Sequence, residues 1–351
     1  MRYGVVVHGP EVVDSGVAAR FLDVLGTEGE VSATLGGAMG LAALLDAGLE
    51  ERVTVVPRQL VSDALVAMDR STDVVVLLNK AKDQESGSAF GRMVVGRCRE
   101  RLTRPAVQID DGFWIRWRDG PLGALPAIID GFGLSELPRP VLEDAVPDLR
   151  RLHGVRPGES IWINGTVIGR ATSPNVAVRL VDGRLEFENV AVKAHGLDKV
   201  RVGDLRKAII RSGSVRRTSS PARRAVLAGG ERMILVDHRA EDAIFRARGA
   251  RAAVTVGDDT TRISTSLLAR LGVPVIGIVD GDEDGICLDS QAADGSVRIV
   301  LRPGNDDQLG QRVRQELFGG REEAIWAGPL ESLVSTISGM AGDALLEVRK
   351  K

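Results

Sequence analysis

The sequence predicts a multi-domain α/β protein in which two parallel-sheet domains flank a small antiparallel β domain. Three observations lead there. Apolar β-branched runs alternate with helical patterns through the first 140 residues. The same alternation returns after Arg232, and the stretch between alternates apolar and polar residues at period two. At 351 residues the chain has room for two or three cores.

The first strand is read in "RYGVVVH", with Val5–Val7 at its centre, and the helix after it carries Val17, Phe21, Val24 and Leu25 on one face. The pattern repeats in "EVSATLGGAMGLAALLDAGL", "RVTVVPRQLVSDALVAM" and "DVVVLLNKAKDQESGSAFGRMVVGRCRERL". "PAVQIDDGFWIRWRDG" reads as a last strand running into a hairpin, with Trp114 and Trp117 expected to pack in a core or interface. Residues 1–140 are therefore expected to form a Rossmann-like α/β domain whose ligand crevice lies at the strand C-termini. Pro138 to Pro157 reads as a helical connector. Within the small β domain assigned to 141–205, Asn164-Gly165, Pro174-Asn175 and Asp182-Gly183 are the turn signals. A linker over 206–230 leads to a third α/β domain over 231–351, with helical spacing in its tail from Leu330 to Leu346.

Composition narrows the function classes. Apolar residues make up 44% and charged residues 27%, as in an ordinary globular chain, and no run approaches a membrane span. Met1–Gly9 reads as a strand and not a signal peptide, and Cys98 and Cys287 lack zinc spacing, so a reduced, cytoplasmic protein is expected. Four isolated histidines point away from histidine-based chemistry. The net charge of -2 conceals a basic middle: residues 141–230 hold 16 cations against 9 anions. Its densest part, 206–224, has seven cations and no acid; Arg206, Lys207, Arg211, Arg216 and Arg217 are candidate contacts to nucleic acid or another anion, or else belong to a solvated linker.

Two sets of residues carry candidate chemistry. In the first domain, His8, Gly9 and Ser15 lie in the turn after strand one, Gly36 and Gly37 open the helix after strand two, and Asn79, Lys80, Lys82 and Ser86 follow strand four. Asp110-Asp111 follow another strand. Glycines and hydroxyls before helix N-termini make anion nests, so a nucleotide or phosphorylated metabolite is the expected ligand, although neither Walker spacing nor a strict G-x-G-x-x-G is present. His8 on its own is read as a hydrogen-bonded turn residue. In the third domain, Asp237, Asp258, Asp259, Asp280 and Asp282 follow three parallel strands and are expected to share one sheet edge. Asp258 and Asp259 read as helix-capping residues. Asp280 and Asp282, at i and i+2 straight after a buried strand, suit Mg²⁺.

"MILVDHRAEDAIFRARGARAAVTVGD", "TRISTSLLARLG" and "VPVIGIVDGDEDG" together resemble the Toprim domain in its archaeal primase-like form. The resemblance implies a Mg²⁺-dependent phosphoryl-transfer or nucleic-acid site, with Asp280 and Asp282 as the metal pair. Asp237 stands where the family has a catalytic glutamate, with Glu241 as the substitute one turn into the helix. The departures are the shorter acid at 237, His238 after it in place of glycine, and Glu283 where a base is common. Taken whole, the chain also resembles an archaeal family found mainly in methanogens, on "VVVHGPEVVDSG", "LGGAMG", "LLNKAKDQESGSAFG" and "VTVGDDTT" with "GIVDGDEDG". Two readings follow: a Mg²⁺-dependent protein acting on nucleotide or nucleic acid, or a non-catalytic ligand sensor or assembly factor on a degenerate Toprim-like scaffold.

Overall fold

The computed structural model describes residues 1–36, 40–57, 59–142, 146–193, 196–197, 200–213, 230–237, 240, 243–280 and 292–351. Contacts divide the chain into two compact units. One holds Met1–Glu159, Arg170–Ala191 and Val202–Gly213; the other holds Ser160–Gly169, Val192–Arg201 and Ser214–Lys351.

The first unit is built on β1 (Arg2–His8), β2 (Glu30–Gly36), β3 (Val53–Val55), β4 (Val74–Leu78), β5 (Ala106–Ile109), β6 (Phe113–Arg118) and β7 (Ser135–Leu137). Their order across the sheet is β3-β2-β1-β4-β5-β6-β7. The first five run parallel, and β6 returns antiparallel to β5 as a hairpin. Val5–Val7 and Val74–Val76 are fully buried, because helices cover both sheet faces, and this is why their strands read as unbroken apolar runs. Val6, Val75, Leu77 and Ile115 pack under the helices Val61–Asp69 and Gln84–Gly96. Helix Val17–Glu28 starts from Gly16, whose φ of 75° suits a residue without a Cβ.

The middle of the chain supplies β8 (Leu149–Leu152), β9 (Ser160–Ile163), β10 (Thr166–Ala171), β11 (Val176–Val181), β12 (Arg184–Glu188), β13 (Val190–Val192) and β14 (Ile210–Gly213). In the first unit β12, β11 and β8 form a three-stranded antiparallel sheet. In the second, β9 and β10 form a hairpin. Both Asn164-Gly165 and Asp182-Gly183 have positive φ at each residue, the type I′ geometry their sequence signals. The helical connector expected between Pro138 and Pro157 contains β8 instead. Prolines at 138, 140 and 147 remove helix donors, while Leu149–Leu152 gain the ladder offered by β11.

The second unit carries β15 (Arg232–Asp237), β16 (Ala252–Val256), β17 (Val275–Val279), β18 (Val297–Leu301), β19 (Glu323–Ile325) and β20 (Leu345–Lys350), in the order β19-β15-β16-β17-β18-β20. The four central strands are parallel and both edges antiparallel. Helices Asp306–Glu316 and Leu330–Ala341 seal one face through Leu309, Val313, Leu333 and Ile337. Helix Asp258–Leu268 packs so closely that a Cβ on Gly277 would overlap the Thr261 side chain. The helical spacing read through Leu346 stops at Ala341. Gly342, with φ of 53°, ends the helix, and "LLEVRK" then pairs with β18 as an edge strand.

Candidate functional site

In the first unit the strand order reverses between β1 and β4: β2 and β3 lie on one side of β1, β4 and β5 on the other. Val7 is in register with Leu78, so the residues that follow, His8 and Asn79, meet at this point. His8 Nδ1 and Asn79 Oδ1 are 2.8 Å apart, and Asn79 Nδ2 donates to Asp110 Oδ2 at 2.7 Å. Asp110, only 4% exposed, also accepts from the backbone N–H groups of Ala81 at 2.6 Å and Asp111 at 2.9 Å, and from Gln108 Nε2 at 3.0 Å. Gln108 in turn accepts from Trp117 Nε1 at 3.1 Å. Helix Gln84–Gly96 makes room for this relay with glycines one turn apart: a Cβ on Gly91 would collide with the Gln108 amide, and one on Gly87 would sit 2.7 Å from Asp110 Oδ2.

The His8 ring stacks on Phe90 at 4.1 Å, with 20° between the planes. Burial lowers the His8 pKa and Arg211 adds to that, against the opposing pull of the Asn79 hydrogen bond, Glu11 and Asp110. Burial likewise brings the Arg211 guanidinium down to about 10, with Glu11 opposing.

Other expected ligand residues are engaged locally. Lys80 pairs with Asp111 at 2.5 Å, and Lys82 with Glu159 at 2.7 Å. Ser86 completes a capping box with Asp83, so the N–H groups at this helix start already face a carboxylate. Ser15 donates to the Val12 carbonyl at 3.3 Å. Gly9 takes a φ of 81°, and Gly36 is held tightly against Val61. Arg206 grips Asp204, holding that carboxyl down at about 2; Lys207 is exposed. Gly37, Arg216 and Arg217 lie outside the described residues.

In the second unit a cavity of about 380 Å³ opens at the C-terminal ends of the parallel strands. Asp258, Asp259, Asp280 and Asp306 line it, and Trp162 and Lys193 also contribute to its wall. Asp280 Oδ2 accepts from Gly304 N–H at 2.6 Å, Asp258 Oδ2 from Asp280 N–H at 3.4 Å, and Asp306 Oδ1 from Asp307 N–H at 2.9 Å. Asp259 bonds Lys193 at 3.0 Å and Arg262 at 2.8 Å. Asp258 does not cap its helix with its side chain; it sits in the first turn, where the helix dipole favours an acid. Asp237 lies elsewhere along the edge, because β16 separates its strand from that of Asp280, a spacing of about 10 Å. It pairs with Arg314 at 3.4 Å. Glu241 and Asp282 lie outside the described residues, among which no group of three or more His, Cys, Asp or Glu is arranged to hold a metal ion. The described carboxylates Asp237, Asp258, Asp259, Asp280 and Asp306 each have an N–H or cationic partner.

Sequence reasoning passed over Gln108, Phe90 and Asp306. Gln108 left a signal, an amide inside the otherwise apolar "AVQI". Phe90 and Asp306 left none, since one reads as a helix core residue and the other as a first-turn acid.

A family described as "Uncharacterized protein conserved in archaea (DUF2117)" matches residues 5–321. An uncharacterized protein of Methanocaldococcus jannaschii is 33% identical over 337 residues, covering 90% of this chain and 92% of its own. No solved structure matches. Among the described residues no helix is long and apolar enough to cross a membrane.

Proposed function

The chain belongs to the archaeal DUF2117 family, and we propose that it binds a small anionic ligand, a nucleotide or phosphorylated metabolite, at the edge of its first sheet. One observation carries this reading: the reversal of strand order between β1 and β4 coincides with the His8–Asn79–Asp110 relay. In a Rossmann-like layout that reversal opens a crevice beyond the strand ends. Arg211, a buried cation whose charge acts on His8, supplies the attraction for an anion. Calorimetric titration with ADP, NAD⁺ and inorganic pyrophosphate is the test. At least one is expected to saturate at one site per chain, with Arg211→Ala weakening it by about tenfold or more, equivalent to ~1.4 kcal/mol. No saturable heat from any of the three would remove the reading.

A second reading keeps Mg²⁺-dependent phosphoryl transfer on nucleotide or nucleic acid at the Toprim-like unit, with the 206–224 segment contacting phosphates. It is favoured by Asp280, which follows β17 and lines a cavity with Asp258 and Asp306. Asp280→Asn is expected to abolish Mn²⁺ binding measured by calorimetry, and unchanged binding would sink it. Affinity for single-stranded nucleic acid should also fall steeply with salt. Under the first reading the second unit serves protein contacts, and neither effect is expected.

A further inference from the structure

We infer that His8 is a proton-accepting base of fixed tautomer, its Nε2 left to take a proton from the bound ligand. The inference rests on the ligand site proposed above for its substrate, an anionic small molecule with an exchangeable proton on carbon or oxygen.

A carboxylate accepts and does not donate, and Asp110 receives N–H groups from Ala81, Asp111, Asn79 and Gln108. The Asn79 amide must turn its NH₂ toward Asp110, since the opposite orientation would set two acceptors against each other 2.7 Å apart. Asn79 Oδ1 consequently faces His8, and across 2.8 Å Nδ1 must supply the hydrogen. A neutral imidazole has a single N–H, so Nε2 keeps its lone pair. The Phe90 stack holds the ring plane. Burial and Arg211 keep the ring neutral at pH 7, against Glu11, Asp110 and the Asn79 bond. Asn79 and Asp110 act through His8 and are positioning residues.

The step is a proton transfer. The C–H or O–H bond of the ligand breaks, its proton goes to Nε2, and its electron pair stays on the ligand. Nδ1–H remains on Asn79. Return of the proton to a second atom of the ligand completes an isomerisation with no co-reactant.

The tautomer is read directly on the ¹⁵N-labelled full-length chain by long-range ¹H–¹⁵N correlation between pH 5 and 8. At pH 7 His8 is expected with Nδ1 protonated and Nε2 bare, becoming imidazolium only below the ordinary value of 6.5. A protonated Nε2, or an imidazolium at pH 7, overturns the inference. Diethyl pyrocarbonate then tests whether Nε2 is presented: a bare nitrogen attacks the carbonyl carbon and expels ethyl carbonate, leaving ethoxyformyl on the ring. Peptide mapping is expected to find His8 modified in the folded chain at pH 7, and an unreactive His8 overturns the proposal. In Asn79→Leu the Nδ1–H signature is expected to give way to Nε2–H; an unchanged tautomer in a folded variant removes the positioning role. Correct tautomer with no calorimetric anion binding overturns only the ligand reading, whereas bound anion with the wrong tautomer overturns only the base.

Discussion

His8 shows how a residue acquires chemistry from its surroundings. In the sequence it is one of four separated histidines, and only the register of β1 with β4 brings Asn79 to its Nδ1. A consequence is a pH dependence of stability. The folded pKa lies below the unfolded 6.5, so between those values the unfolded chain binds more protons. The stabilising contribution is complete above pH 6.5 and declines as pH falls from there to the lowered value. Resistance to urea is therefore expected to fall below pH 6.5, less so in His8→Asn, whose amide retains a donor for Asn79. Parallel pH profiles for the two chains would show that the neutral ring contributes nothing. Cys98 illustrates the opposite outcome: it is buried, its thiol pushed up to about 12 by burial, and it donates to the Val94 carbonyl as part of a core.

At the scale of elements, turns were the most legible features. Asn164-Gly165 and Asp182-Gly183 form the hairpins they announce, since a type I′ turn requires positive φ at both positions. The segment Pro138–Pro157 and the tail beyond Ala341 depart from the helices expected of them because a short stretch does not say whether a partner strand is available. Close packing of helix Asp258–Leu268 on β17 is equally invisible in the sequence. There Gly277→Ala is expected to cost about 1–3 kcal/mol by forcing Thr261 away. Thr261→Ser removes the obstructing methyl and keeps a hydroxyl for Thr255, which the threonine meets at 2.8 Å. Denaturant midpoints should show the double variant recovering part of that loss; simple additivity would mean the two side chains do not interact.

For the whole molecule, the second unit is assembled from separate stretches, with 160–169 and 192–201 joining the chain after 214. Trp162 and Lys193 reach the cavity wall from those stretches, and Lys193, like Arg262, pairs with Asp259. A fragment of residues 214–351 is thus expected to exchange its β15–β17 amide hydrogens faster than the full chain does. Equal protection would show that the six-stranded sheet is stable without the hairpin.

Read alone, the sequence determined the α/β class, the positions of the central strands and the crowding of polar residues where those strands end. Hydrophobic period and turn chemistry are local properties, and they survive reading one segment at a time. Which polar residues meet was decided only by tertiary structure, because strand order is not written in any one segment. In the second unit the order β15-β16-β17-β18 puts Asp258 and Asp306 beside Asp280 and sets Asp237 apart with Arg314. In the first, neighbouring strands and two glycines on one helix face bring His8, Asn79, Asp110 and Gln108, a hundred residues apart at the extremes, into a single hydrogen-bonded line.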